Sequence, residues 1–396
     1  MAVYYINPEY GSDENSGLNE DCPLKSHQNL NILPGDKVLF KRGSFVRDAL
    51  WNVSGEEGCP ITYSAYGEGE NPVFCGSVDV SCEKDWKEIE EIIWQCTKYL
   101  ETEVCNFVFN QQECGALRWD RSKLINQGDW WDNCYGMDEE KPDPEKHVVL
   151  LYSKINPSKY YGHIECVLRS HRELANTGHD MIISDLTFRN NGVHGIAGEK
   201  GARNLQIINC RFEYIGGNVW NKEREIRFGN AIEFWDVAEN VLVEHCVFYE
   251  IYDSGITHQG YHDSCKPAQN MVCRNNIFMK CGMSAYEQRD VLPKSACFEH
   301  NVCADAGKGF SGLGEEVPRN SEIWPEPMGH HVFLWRIDKP TENACFEIKN
   351  NIFMEAPYGK AMYAIIAKEA QEQINFTENL FYVDELLFSK KEGAIG

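Results

Sequence analysis

The sequence predicts an all-β chain wound as a parallel β-helix, a solenoid with an N-terminal cap and a β-rich insertion. Three observations point there. A short β-rich phrase keeps returning between Asp185 and Tyr382, usually with Asn or Cys two residues before a Phe. It reads Leu205-Gln-Ile-Ile-Asn-Cys-Arg-Phe212, Val241-Leu-Val-Glu-His-Cys-Val-Phe248, Met271-Val-Cys-Arg-Asn-Asn-Ile-Phe278, Ala296-Cys-Phe-Glu-His-Asn-Val-Cys303, Cys345-Phe-Glu-Ile-Lys-Asn-Asn-Ile-Phe353 and Ile374-Asn-Phe-Thr-Glu-Asn-Leu-Phe381. The phrases begin about 25 to 50 residues apart, each alternates its side chains, and no helical period separates them. The third observation is the polar column Cys210, Cys246, Asn276, Asn301, Asn351 and Asn379. At a turn between stacked strands, an inward Asn amide hydrogen-bonds the turns above and below, satisfying backbone that would otherwise be buried unpaired.

Residues 1–80 read as the N-terminal cap and first coils, with Tyr4-Tyr-Ile-Asn-Pro8, Leu33-Pro-Gly-Asp-Lys-Val-Leu-Phe40 and Pro60-Ile-Thr-Tyr-Ser-Ala-Tyr66. A cap is needed because the first coil otherwise exposes an open apolar end. These phrases resemble the right-handed parallel β-helix proteins of the pectate-lyase-like superfamily, in particular bacterial carbohydrate-active members. The resemblance implies the hand of the coil and a glycan substrate.

Residues 81–175 interrupt the repeat with Trp86, Trp94, Trp119, Trp130 and Trp131, and read as a β-rich insertion packed on the side of the helix. The Trp130-Trp131 pair offers a second role as a sugar-stacking wall. Residues 176–396 carry the regular coils and a C-terminal cap, all one structural unit. Two long loops, 218–229 and 307–329, hold aromatic and acidic residues that include Glu315, Glu316, Trp324 and Glu326. Long solenoid loops cluster on the binding face.

The bulk numbers narrow the partners. With 396 residues, 42% of them apolar, the chain can bury a large continuous core. A formal charge of −23 argues against nucleic acid and anionic membranes as partners and favours a neutral or cation-bridged oligosaccharide or polysaccharide. Oligomeric state is not legible. Seventeen cysteines without a CxxC pair read as reduced core residues. The opening Met1-Ala-Val-Tyr-Tyr-Ile6 lacks a basic segment followed by an apolar one, which suggests a cytoplasmic protein, or a secreted or periplasmic one whose leader has been removed.

Register gives the candidate site an address. Counting eight residues onward from the ladder Phe aligns Gly195-Ile-Ala-Gly-Glu199, Ala231-Ile-Glu-Phe-Trp-Asp236, Gly255-Ile-Thr-His-Gln-Gly260, Ala285-Tyr-Glu-Gln-Arg-Asp290 and Val332-Phe-Leu-Trp-Arg336. If the Ile column points inward, the next points outward and holds Ala197, Glu233, Thr257, Glu287 and Leu334. Two residues on, the same exposed face carries Glu199, Trp235, Gln259, Arg289 and Arg336, with Trp335 beside them as a further sugar contact. His258 falls in the inward column with Phe234 and Gln288, which favours a hydrogen-bonded core histidine, and it is kept among the candidate substrate contacts. Asp236 and Asp253 are reserve acids, since acids at strand ends also cap turns.

Glu233 and Glu287 lie two rungs apart, roughly 9 to 10 Å between Cα atoms at about 4.8 Å per rung. Two such carboxylates suit a glycoside hydrolase, with one held protonated by burial and the other kept ionised by a cation. Arg289, on the strand and face of Glu287, makes Glu287 the ionised partner and Glu233 the acid. The stretch Gly229-Asn-Ala-Ile-Glu-Phe-Trp235 with Tyr252-Asp-Ser-Gly-Ile-Thr-His-Gln-Gly260 resembles a strand pair of bacterial β-helix proteins grouped with glycan-degrading enzymes, and this likeness supports the same two positions. A hydrolase of this kind needs no cofactor. The alternatives are a polysaccharide lyase, where Ca²⁺ or Arg neutralises a uronate, and a non-catalytic glycan-binding β-helix. The pair His330-His331 lacks a third metal ligand at a sensible spacing.

Overall fold

The computed structural model describes residues 1–50, 53–134, 142–143, 145–169, 171, 173–198, 201–236, 238–259, 266–314, 329–357, 359 and 361–382. Three long parallel sheets of ten, nine and seven strands run side by side along the chain. Each regular coil gives one strand to each: Ala238–Glu244 to the ten-stranded sheet, Val247–Ile251 to the nine-stranded and Ser254–Gln259 to the seven-stranded. The next coil repeats the order with Gln269–Arg274, Ile277–Cys281 and Ser284–Arg289, each paired in parallel with its predecessor. The predicted β-helix is what the chain forms.

Alternate residues of every strand turn inward, and the apolar ones meet there. Val241, Val243, Phe248, Ile251 and Ile256 are all buried in one continuous core that runs from Ile6 to Ala364. Phe188, Phe212, Phe248 and Phe278 stack successively, with ring centroids 5.3, 4.9 and 4.4 Å apart. Each buried ring contributes about 1.5–3 kcal/mol by leaving water, and the parallel register repeats that gain at every rung.

The corner between the ten- and nine-stranded sheets holds the expected amide ladder. The backbone N–H and the Nδ2 of Asn276 both donate to Oδ1 of Asn301 at 3.0 Å. Asn301 does the same to Asn351, and Asn351 to Asn379. Each amide also donates to a backbone carbonyl of an earlier coil, as Asn301 does to Cys273 at 3.0 Å. At Cys246 and Cys210 the thiol replaces the amide and donates to Ile207 and Ile183. The residue ahead of each rung, namely Asp185, Asn209, His245, Asn275, His300, Asn350 and Glu378, takes a left-handed φ of 54 to 57°. That twist reverses the alternation and aims the next side chain inward; Asn and Asp tolerate it best.

A second ladder escaped the sequence reading. Asp180, Asn204, Asn240 and Asn270 also have positive φ, and Asn204, Asn240 and Asn270 each donate 2.9 Å to the residue one coil earlier. Its signal was present: an Asn or Asp stands five residues before each of Asp185, Asn209, His245 and Asn275.

Residues 77–168 leave the solenoid after Val73–Cys75 of the nine-stranded sheet, and the chain rejoins it at Glu173–Asn176 of the seven-stranded sheet. They form a four-stranded and a five-stranded sheet around Trp86, Phe107, Phe109, Trp130, Leu151 and Ile164. Trp130 is fully buried in this core and Trp131 packs against it, so the pair builds the insertion rather than a sugar wall. The insertion is tied to the coils through Arg47, which grips the Glu165 carboxylate at 2.8 and 2.9 Å, and through Tyr214, whose hydroxyl donates to Gln111 O at 3.0 Å. The buried cysteines Cys75, Cys105, Cys166, Cys210, Cys246 and Cys303 are free of disulfides. Among those residues, no helix is long and apolar enough to cross a membrane.

Replacing Asn301 by Ala removes donors to Cys273 O and Asn351 Oδ1 and the acceptor that Asn276 uses. Chemical denaturation should show a loss of about 2 kcal/mol or more, the cost of leaving buried polar groups unpaired, whereas the exposed Asn270→Ala should cost well under half of that.

Candidate functional site

The seven-stranded sheet presents the candidate residues, and its register decides which of them meet. Ala197 pairs with Glu233, Glu233 with Thr257, and Thr257 with Glu287. Trp235 pairs with Gln259, and Gln259 with Arg289. The two glutamates therefore lie in one outward column with a single strand, Ser254–Gln259, between them.

The last rung is shifted by one residue from the expected alignment. Glu287 pairs with Phe333 and Arg289 with Trp335, so Leu334 turns into the core beneath Gln288. Arg336 is displaced by a register break between Trp335 and Ile337 and takes a left-handed φ of 59°. It reaches back to Asp290 at 3.1 Å, and its side chain is 46% exposed. Counting from the Phe could not see the one-residue offset, because the loop ahead of His330–Ile337 has no fixed length.

The outward face is buried, where an exposed one was expected. Glu233, Thr257 and Glu287 have no solvent-accessible surface, and Gln259 keeps 8%. Trp235, Arg289 and Trp335, two residues further along each strand, are half-buried. The first column is thus a floor and the second a rim at the C-terminal ends of the strands.

Hydrogen bonds give the two acids different surroundings. The Glu233 carboxylate accepts from the amides of Asn230 and Gln259, both in short contacts. Glu287 accepts from the indole of Trp335 at 2.7 Å and from Ser254 Oγ at 3.2 Å, and pairs with Arg289 Nε at 3.3 Å. The last contact is an ion pair without hydrogen-bond alignment. Arg289 also lies over the Trp335 ring, 5.3 Å from its centroid. Burial is the largest influence on Glu233 and pushes its pKa up to about 8. Arg289 and the two amides favour the charged form, Glu287 opposes it, and burial wins.

Asn230 and Ser254, which the sequence reading missed, belong to a third column three residues ahead of the acids. Ser254 Oγ meets Ser284 Oγ at 2.9 Å, Ser254 N–H donates to Asn230 Oδ1 at 2.9 Å, and Asn230 N–H donates to His194 Nδ1 at 3.2 Å. Their constant offset from Glu233, Thr257 and Glu287 was the available clue. They brace the carboxylates from behind.

The remaining candidates divide. His258 points into the core, fully buried, and accepts from Gln288 Nε2 at 2.8 Å; burial pushes its pKa down to about 4, so it is a neutral structural residue and not a sugar contact. Asp253 is buried and accepts from Gly229 N–H at 3.1 Å, capping a turn. Asp236 ends its strand with a left-handed φ of 64°, and its carbonyl takes a long 3.4 Å contact from His258. Both serve turns. His330 stacks on Phe333 and Tyr363 while His331 stacks on Phe353, so neighbouring residues face opposite sides and do not share a ligand. Among the described residues, no three His, Cys, Asp or Glu converge to hold a metal ion. Glu199, Gly260 and the loop residues Glu315, Glu316, Trp324 and Glu326 lie outside the described residues.

Comparison with known proteins agrees with this architecture. Residues 167–311 match the family model described as a right handed beta helix region, which supplies the hand of the coil. A stretch of 76 residues is 36% identical to a lacto-N-biosidase of Bifidobacterium longum subsp. longum, covering 17% of this chain and 5% of that protein. The crystal structure of a GH136 lacto-N-biosidase from Eubacterium ramulus superposes over 96% of this chain and 61% of its own, with 16% identity and a TM-score of 0.55. The complex of XylC with xylose superposes over 96% of this chain and 70% of its own, with 11% identity and a TM-score of 0.60. At such identities these structures establish the fold alone. This chain is a right-handed parallel β-helix that spans 61% of the Eubacterium ramulus lacto-N-biosidase and matches 5% of the Bifidobacterium longum one.

The raised pKa of Glu233 has a consequence for stability. Between its ordinary value of 4.5 and about 8, the unfolded chain ionises this carboxyl while the folded chain does not. Stability from this group is therefore complete below about pH 4.5 and is lost as pH rises towards about 8. The denaturation midpoint of wild-type protein should fall relative to that of Glu233→Gln across this window, and parallel profiles would contradict a raised pKa.

Proposed function

We propose that this protein is a glycoside hydrolase in which Glu233 is the general acid and Glu287 the ionised carboxylate. The observation that carries this reading is the pair itself: two buried carboxylates in one outward column, separated by one strand, one bonded by neutral amides and the other paired directly with a guanidinium. An acid that keeps its proton to about pH 8 is matched to protonating a glycosidic oxygen near neutrality. A carboxylate held by Arg289, the Trp335 indole and Ser254 is matched to stabilising an oxocarbenium-like centre or activating a nucleophile.

The rim suits a sugar. Trp235 and Trp335 flank Gln259 and Arg289, and each indole offers a flat apolar surface for a pyranose ring, while the guanidinium and amide offer donors to its hydroxyls. The lacto-N-biosidase and xylose-binding relatives support a carbohydrate as substrate, and lacto-N-biose or xylose units are the natural first probes. The strongly acidic chain favours neutral sugars over polyuronates.

The test uses p-nitrophenyl lacto-N-bioside and p-nitrophenyl xyloside beside oligosaccharides ending in the same units. Glu287→Gln should lower kcat by roughly 10²- to 10⁴-fold on every substrate that wild type cleaves. Glu233→Gln should lose as much on the oligosaccharide but far less on the aryl glycoside, because p-nitrophenol leaves without a proton. Turnover should decline above about pH 8 as Glu233 ionises. Unchanged turnover in both variants would sink the assignment.

A further inference from the structure

The strand between the two acids carries a group that neither acid uses. Thr257 pairs with Glu233 on one side and Glu287 on the other, so its side chain occupies the outward column midway between them. It is fully buried, and its Oγ1 has no hydrogen-bond partner among the described residues. Its strand neighbours are committed: Gln259 donates to Glu233 and Ser254 donates to Glu287. A buried hydroxyl left unpaired costs about 1–3 kcal/mol, and a valine of the same shape would avoid that cost. In a column whose other polar members are all engaged, this hydroxyl is the one free to meet something that arrives from outside.

We infer that Thr257 Oγ1 holds the attacking water against Glu287, and that hydrolysis proceeds by a single displacement with inversion at the anomeric carbon. The inference rests on the hydrolase reading given above. The stacking supplies the position: Thr257 is one rung, about 4.8 Å, from each acid, so a water bound to its hydroxyl stands beside Glu287 and across from the Glu233 proton, the arrangement of direct attack by water. In the step, the Glu233 proton passes to the glycosidic oxygen as its bond to the anomeric carbon breaks. The water oxygen bonds to that carbon from the opposite side, and its proton passes to Glu287. Solvent then returns a proton to Glu233 and removes one from Glu287, so no other reactant is consumed. Thr257 accepts from or donates to the water throughout and takes no part in proton bookkeeping.

The experiment compares Thr257→Val and Thr257→Ser with wild type and Glu233→Gln on the oligosaccharide that wild type cleaves, with the first-formed anomer read by proton NMR. Thr257→Val should lower kcat roughly 10-fold or more with little change in KM, while its thermal midpoint stays level or rises, since an unpaired hydroxyl is removed. Thr257→Ser should recover most of the lost rate, and the first product should have the inverted configuration. The inference is overturned by a Thr257→Val variant with wild-type kcat, by one whose lost activity accompanies a lowered midpoint, or by a retained anomer. Those results alongside an inactive Glu233→Gln leave the hydrolase reading standing, whereas a wild-type protein that cleaves none of the probes removes both.

Discussion

The parallel register is the constraint on which the rest depends, and the amide ladder is what fixes it. A β-strand that slips by one residue turns its whole apolar set to the other face. In this chain a slip would also strip Asn276, Asn301 and Asn351 of bonds that each makes to the coil above and the coil below. The ladder and the phenylalanine stack enforce the same alignment by different means, one through directional hydrogen bonds and one through shape. Because one or the other acts at each of these rungs, the seven-stranded sheet inherits a register that its own residues need not specify. That freedom lets it carry glutamate, threonine and arginine where a solubilising surface would carry lysine and serine.

The two acids differ through their neighbours rather than through their depth, since both are fully buried. Glu233 takes its hydrogen bonds from neutral amides and feels the Arg289 charge without pairing with it, and the loss of hydration outweighs both. Glu287 has a guanidinium on its own strand and an indole N–H from the next. The arrangement follows from stacking: Arg289 sits one rung past Gln259, so the strand of Glu287 brings a cation where the strand between the acids brings only an amide.

How much of this was legible follows the physics of each signal. The first ladder and the stack were readable because both repeat a residue type at a fixed offset, and the alignment of four rungs followed from counting. The second ladder obeyed an equally regular interval, but its Asn and Asp residues look like ordinary turn formers in isolation. Trp335 stands where Arg336 was expected because the whole strand is offset by one residue, and an offset set by the loop ahead of a strand leaves no mark in composition. Burial of the face was not legible at all, since a polar column reads as exposed until the segments around it are placed. His258 shows the opposite limit: its inward position was legible, yet its value as a neutral core residue depends on Gln288, which arrives from the next coil.

The separation of the acids has a wider meaning. In a globular enzyme, loops can move two catalytic groups together by fractions of an ångström. Here both glutamates are mounted on a stack with one repeat distance, so their spacing is quantised. Under the hydrolase proposal, one intervening strand would give one class of displacement and neighbouring strands another. Moving Glu233 to the rung of Thr257 would then be a change of mechanism encoded as a shift of one coil.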